Sequence, residues 1–200
     1  MKRMNHCIKW MLLSATAVLA TFVVVMTCTV QTEAKTNWKK LYKDFLETNE
    51  WCQKSATSAR LINVNNDKIP EIYIAGDCAA SNNALLTIYK NKVYINYVDG
   101  HGGISYAPKK GLIHEEGGNM GYYFDNVGKL SKGKIVYKKS GSYGMADPTG
   151  DSYEYSWGKK EVSEKTYAAK LKKAKGKYKY KAAYDDKKML DMEKLKKKLQ

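Results

Sequence analysis

The chain has 200 residues, 35 basic and 20 acidic side chains and a formal net charge of +15, with 44% hydrophobic and 12% aromatic residues. That length suits one ordinary domain with a core of its own. No Gly-x-Ser-x-Gly string, zinc-ligand motif or phosphate-binding glycine loop occurs, so the enzyme classes those strings mark are excluded.

In chain order, the first segment reads as an export signal. Lys2, Arg3 and Lys9 precede an uncharged stretch from Trp10 to Thr32, and small residues, Thr32 and Ala34, stand before Lys35. This three-part pattern is that of a secretory signal peptide over 1–34, cleaved after Ala34. The same stretch is long enough for an uncleaved membrane anchor, which needs about 20 apolar residues. A lipoprotein carrying its lipid on Cys28 is the third reading. All three place residues 35–200 outside the cytoplasm as a single extracellular domain.

Residues 37–51 have the apolar spacing of an amphipathic helix, with Trp38, Leu41, Tyr42, Phe45 and Leu46 on one side and Thr36 or Asn37 as cap. Short β segments follow: ARLINV, PEIYIA, ALLTIYK, KVYINYV, GYYFDNV, KIVYKK and DSYEYSW. Alternation puts Tyr153, Tyr155 and Trp157 on one strand face. The strings NVNNDK, KNK, DGHGG, EEGGN, GKLSKG and SGSYGMADPTGD read as the turns between them. The end becomes helical. Ser163 caps SEKTYAAKLKKA, and DDKKMLDMEKLKKKLQ carries an apolar stripe of Met192, Leu195 and Leu199 and a charge order that suits the helix dipole. KGKYKYKAAY between them reads equally as a last strand or a basic linker. The expected fold is α+β: an N-terminal helix on an antiparallel meander of about six or seven short strands, closed by basic C-terminal helices. No long helical pattern interrupts the strands, which argues against a parallel α/β sheet.

The most distinctive string is LINVNNDKIPEIYI, residues 61–74. Asn63, Asn65 and Asp67 alternate as ligand positions would, and Pro70, Glu71 and Ile72 follow. It resembles the Asp-rich loop of bacterial exported proteins with FG-GAP or VCBS-like segments, where a hydrophobic-Asp-x-Asp-x-Asp-Gly pattern runs into Pro-Glu-Leu. The resemblance implies a calcium-binding, structural loop in a surface domain, with Asn63, Asn65, Asp67 and Glu71 as its metal residues. Two of the three aspartates are asparagine here, and Lys68 stands at the turn glycine. Calcium wants six to eight oxygens, mostly from carboxylates, so the loop reads as a turn that keeps the shape and has lost most of the affinity. Calcium aside, no cofactor is indicated.

Cys52 and Cys78 are the cysteines left after cleavage, and an oxidising compartment pairs them as a disulfide. Such a bridge would contribute about 3–4 kcal/mol in the chain-entropy model. His101 in DGHGG and His114 in GLIHEEGGN stand near Asp99, Glu115 and Glu116 but match no tight ligand spacing.

Charge is uneven: residues 157–200 hold 16 basic and 6 acidic side chains. This Lys-rich, mainly helical end offers Lys172, Lys173, Lys196, Lys197 and Lys198 as a polyanion-binding set. For an exported chain the available polyanions are anionic wall polymers, lipid headgroups and acidic glycans, not nucleic acid. A membrane is a partner only through an uncleaved leader. The sequence reads best as a non-enzymatic binding or adhesion protein of the cell envelope or the secreted pool. The alternatives are an envelope hydrolase using the His101 and His114 loops, and a basic inhibitor or toxin-like protein.

Overall fold

Helix α1 (Trp38–Thr48) starts where Asn37 accepts the Lys40 N–H at 3.2 Å. It buries Tyr42 and Leu46, one turn apart, and leaves its lysines outside. The continuous helix expected over 37–51 is broken at Asn49, which turns extended and accepts the Cys52 N–H at 3.0 Å. An asparagine side chain offers the backbone a cap that competes with helix continuation. A second helix, α2 (Glu50–Lys54), begins there. The computed structural model describes residues 37–147, 149, 150 and 152–200. The expected leader, its cleavage after Ala34, and Cys28 lie outside the described residues.

Strands β1 (Ala56–Ile62), β2 (Glu71–Gly76), β3 (Asn83–Tyr89) and β4 (Lys92–Val98) form the first antiparallel meander. The second consists of β5 (Gly103–Ala107), β6 (Leu112–Asn119), β7 (Tyr122–Ser131), β8 (Lys134–Met145), β9 (Tyr153–Trp157) and β10 (Lys160–Val162). Helix α3 (Glu164–Lys175) follows, capped by Ser163 as expected. The chain then adds β11 (Lys181–Ala182) to the β5 edge and β12 (Leu190–Asp191) to the β1 edge, and ends in α4 (Met192–Lys198). Every strand pair among the described residues is antiparallel.

The single meander of the sequence reading is therefore two sheets, and the molecule is sheet-rich with a few helices. The expected turns at EEGGN, GKL and SGSYGM are strand instead. Gly117 shows why EEGGN does not turn: a Cβ there would lie 2.7 Å from the Asp99 carboxyl and 2.8 Å from the Phe124 ring. It is glycine to admit neighbours, not to bend the chain. KGKYKYKAAY gives a two-residue strand. Asp185 and Asp186 lie in a short 3-10 turn ahead of α4, whose cap is Asp191.

The first sheet is covered on both faces, which is why residues 72–75 and 84–86 are continuous apolar runs. On one face Ile72, Ile74 and Leu86 meet Tyr42, Leu46, Cys52, Leu195 and Leu199 from the helices. On the other, Tyr73 and Leu85 meet Ile104, Tyr106 and Ile113 of the second sheet. The tip of the β7–β8 hairpin is bound to the first sheet. The Gly133 carbonyl accepts from Thr87 Oγ1 at 2.6 Å and Asn96 Nδ2 at 3.0 Å, and Asn96 Oδ1 accepts the Ile135 N–H at 2.9 Å. No helix among the described residues is long and apolar enough to cross a membrane.

Candidate functional site

The outer face of the second sheet carries α3, and its polar and aromatic side chains fall in three rungs fixed by strand register. Ser105, His114, Val127 and Lys139 form the first. Gly103, Glu116, Asp125, Gly141 and Trp157 form the second, and Gly118, Tyr123, Tyr143 and Tyr155 the third. Residues two apart on a strand share a face, so these rungs lie side by side.

Tyr167 of α3 joins them. Its hydroxyl donates to Asp125 Oδ2 at 2.7 Å, and its ring lies 5.4–5.8 Å from those of Tyr143, Tyr155 and Trp157. Gly141 makes room beneath it: a Cβ there would lie 2.6 Å from both the Trp157 and Tyr167 rings. Tyr123 stacks on Tyr143 at 5.1 Å and Tyr143 on Tyr155 at 5.4 Å. The expected single face of Tyr153, Tyr155 and Trp157 is present, with Tyr153 also against Tyr143.

His114 is buried and bonded on both ring nitrogens. Nε2 lies 2.6 Å from Asp125 Oδ1, and Nδ1 lies 3.1 Å from Lys175 Nζ and 3.3 Å from Ser105 Oγ. An ammonium only donates, so this geometry assigns Nδ1 as acceptor and puts the ring proton on Nε2, facing Asp125. Burial alone would raise the Asp125 carboxyl. The hydrogen bonds from His114 and Tyr167, with the charges beside it, outweigh burial and hold it below the usual carboxylate value. Burial and then the bond to Asp125 push the Tyr167 phenol upward.

Beside this network a cavity of about 520 Å³ opens between α3 and strands β6–β9. Leu112, Val127, Trp157 and Ala174 give it apolar walls, and Lys129, Lys138, Lys139, Lys170 and Lys173 surround it. No acidic residue among the described ones lines it. None of the five lysines joins the ion pairs found among the described residues.

Of the expected polyanion set, Lys173 lines the cavity and its neighbour Lys172 is exposed on α3. Lys196, Lys197 and Lys198 belong to α4, which packs on β1 of the other sheet, and Lys196 is paired with Glu193 at 2.9 Å. The five residues thus sit on two helices rather than in one patch. Lys129, Lys138 and Lys139 lie outside the Lys-rich C-terminal segment in sequence, and strand pairing brings them to α3.

The loop residues singled out for calcium are engaged elsewhere. Asn65 Oδ1 accepts the Asp67 N–H at 2.9 Å, Asp67 Oδ1 accepts the Ile69 N–H at 2.9 Å, and Glu71 Oε2 accepts the Val64 N–H at 2.7 Å. The Asn63 carbonyl accepts from Lys109. The bonds of Asn65 and Asp67 are turn-forming bonds of short polar side chains.

The expected bridge is not formed. Cys52 and Cys78 are free thiols, the first buried in the helix-side core and the second exposed with Sγ 3.2 Å from Ser81 Oγ. Burial pushes the Cys52 thiol up to about 11. His101 and His114 take different partners, His101 bonding to Asn119 at 3.1 Å. No local pattern signals that Asp125 and Lys175 meet His114 or that Tyr167 meets Asp125; register and helix docking bring them together.

No family model, curated protein or solved structure matches the chain.

Proposed function

We propose that this is an exported, non-enzymatic binding protein of the cell envelope or the secreted pool, whose ligand is an anionic polymer or acidic glycan held in the cavity beside α3. The observation that carries the reading is the ring of five lysines around apolar walls. Like charges held together repel one another, and an anionic ligand offsets that repulsion. Lysine is a mobile point charge, so the contacts are loose and tolerate varied anion spacing. Trp157 adds flat apolar area for the carbon skeleton of a sugar ring.

The test is sedimentation of the purified protein with isolated cell walls across a salt series. Binding weakens steeply with salt, because charges near the surface are screened within about 8 Å at physiological ionic strength. Changing Lys138, Lys139, Lys170 and Lys173 to glutamine weakens binding by about tenfold or more, given up to about 1 kcal/mol for each exposed charge contact. Changing Lys197 and Lys198 of α4 leaves it nearly unchanged. Equal loss from both sets would make the charge non-specific, and binding that withstands high salt and every lysine change would reject the reading.

A further inference from the structure

The outer sheet face holds a second group that anion binding does not use. His114, Glu116 and Asp125 each present a ligand atom, and these atoms all lie within 4.8 Å of one another. Two come from alternate positions of β6 and the third from the residue directly opposite Glu116 on β7. His114 and Asp125 are buried, while Glu116 is exposed. The Glu116 carboxylate has no hydrogen bond or ion pair among the described residues, although it stands across the ladder from Asp125. Like charges directly opposite each other on paired strands are destabilising. A cation between them removes that cost.

We propose that His114, Glu116 and Asp125 form a binding site for a divalent transition-metal ion, and that Lys175 is its built-in competitor. One imidazole nitrogen and two carboxylates are a donor set for zinc or manganese, and three protein ligands leave coordination positions for water. Ligand atoms at tetrahedral angles around zinc stand about 3.3 Å apart. The His114–Asp125 pair at 2.6 Å must therefore open slightly, and the exposed Glu116 must swing inward.

The surroundings already hold the ligands as a metal site requires. Tyr167 fixes Asp125 through Oδ2, leaving Oδ1 for the ion. Ser105 Oγ lies by His114 Nδ1 and accepts a hydrogen bond from it when the ring changes tautomer and Nε2 turns its lone pair to the metal. The ring proton moves from Nε2 to Nδ1, so a neutral His114 releases none. In that state Nδ1 is a donor and no longer accepts from Lys175, so the ammonium withdraws. Lys175 is the last residue of α3, followed by Gly176, and its ring contact with Tyr180 at 5.1 Å gives it somewhere to go. Metal occupancy is thus linked to the end of the helix that borders the lysine cavity.

The test is calorimetric titration of the purified chain with zinc and with manganese, in a Cys78→Ser background that removes the exposed thiol. One ion per chain binds. Glu116→Gln, a change at an exposed position that leaves the circular dichroism spectrum intact, weakens it at least tenfold, and His114→Ala does the same or more. Lys175→Met tightens it several-fold. That last result separates a metal site from a purely structural network, which loses a hydrogen bond in this variant and gains no affinity for anything. Absence of stoichiometric binding, binding indifferent to Glu116→Gln, or weaker binding in Lys175→Met would each overturn the proposal.

Discussion

Glu71 shows how a residue placed by a local motif acquires a different role from its depth. It is 3% exposed, and its carboxylate accepts the Val64 N–H. Burial, opposed by the backbone hydrogen bonds, pushes it up to about 7 from 4.5. The folded protein therefore binds a proton here that the unfolded chain has lost over that interval. Its contribution is fully present below the unfolded value and declines as pH rises through the folded one, by about 3 kcal/mol in all. We expect denaturant midpoints to fall between pH 5 and pH 8, and the Glu71→Gln variant to show a flatter profile over the same range. An unchanged slope in the variant would assign the pH dependence to other groups.

At the scale of elements, the 61–74 loop is closed by its own side chains. The side chains of Asn65 and Asp67 close consecutive turns on their own backbone, and Pro70 precedes β2, where a missing N–H costs no ladder bond. Calcium would have to displace those bonds with Lys68 beside it. Millimolar calcium is accordingly expected to shift the melting temperature by less than about a degree, since ligand stabilisation grows only once concentration exceeds the dissociation constant. A rise of several degrees at micromolar calcium would restore the metal role that the string resembles. Helix α3 is the opposite case: Ser163, Tyr167 and the lysines were readable as an isolated amphipathic helix, but its buried tyrosine serves a carboxylate rather than an apolar core.

Across the whole molecule, the two sheets are joined by their shared apolar layer and by a small polar clasp at the β7–β8 tip. Asn96 is its centre, with one side-chain oxygen accepting from Ile135 and one amide donating to Gly133. Replacing Asn96 by alanine leaves a part-buried N–H without its acceptor, which costs about 1–3 kcal/mol. We expect a lower denaturant midpoint for Asn96→Ala and faster hydrogen exchange at Ile135, while the wild-type chain unfolds in one transition seen by both probes. Exchange at Ile135 unaffected by the substitution would show that the hairpin is held by the apolar layer alone. The distribution of charge also belongs to this scale. The five lysines expected to bind polyanions divide between α3 and α4, and Lys129, Lys138 and Lys139 on strands join only the first group.

The sequence by itself determined the local order: a capped amphipathic helix, alternating strands with their tyrosine face, and basic helices with apolar stripes. These depend on spacing within one element, and periods of 3.6 and 2 are visible in a string of letters. It did not reveal β5 and β6, where Gly103, Glu115, Glu116, Gly117 and Gly118 imitate a loop, because those residues are set by neighbours across the sheet. It expected a bond between Cys52 and Cys78, a pairing inferred from number alone, whereas the fold puts one thiol inside the core and one outside. Only tertiary structure decided which side chains meet His114. Asp125 and Lys175 stand 11 and 61 residues from His114 along the chain, and Tyr167 stands 42 from Asp125; contacts of that reach follow from strand pairing and helix docking rather than from any local pattern.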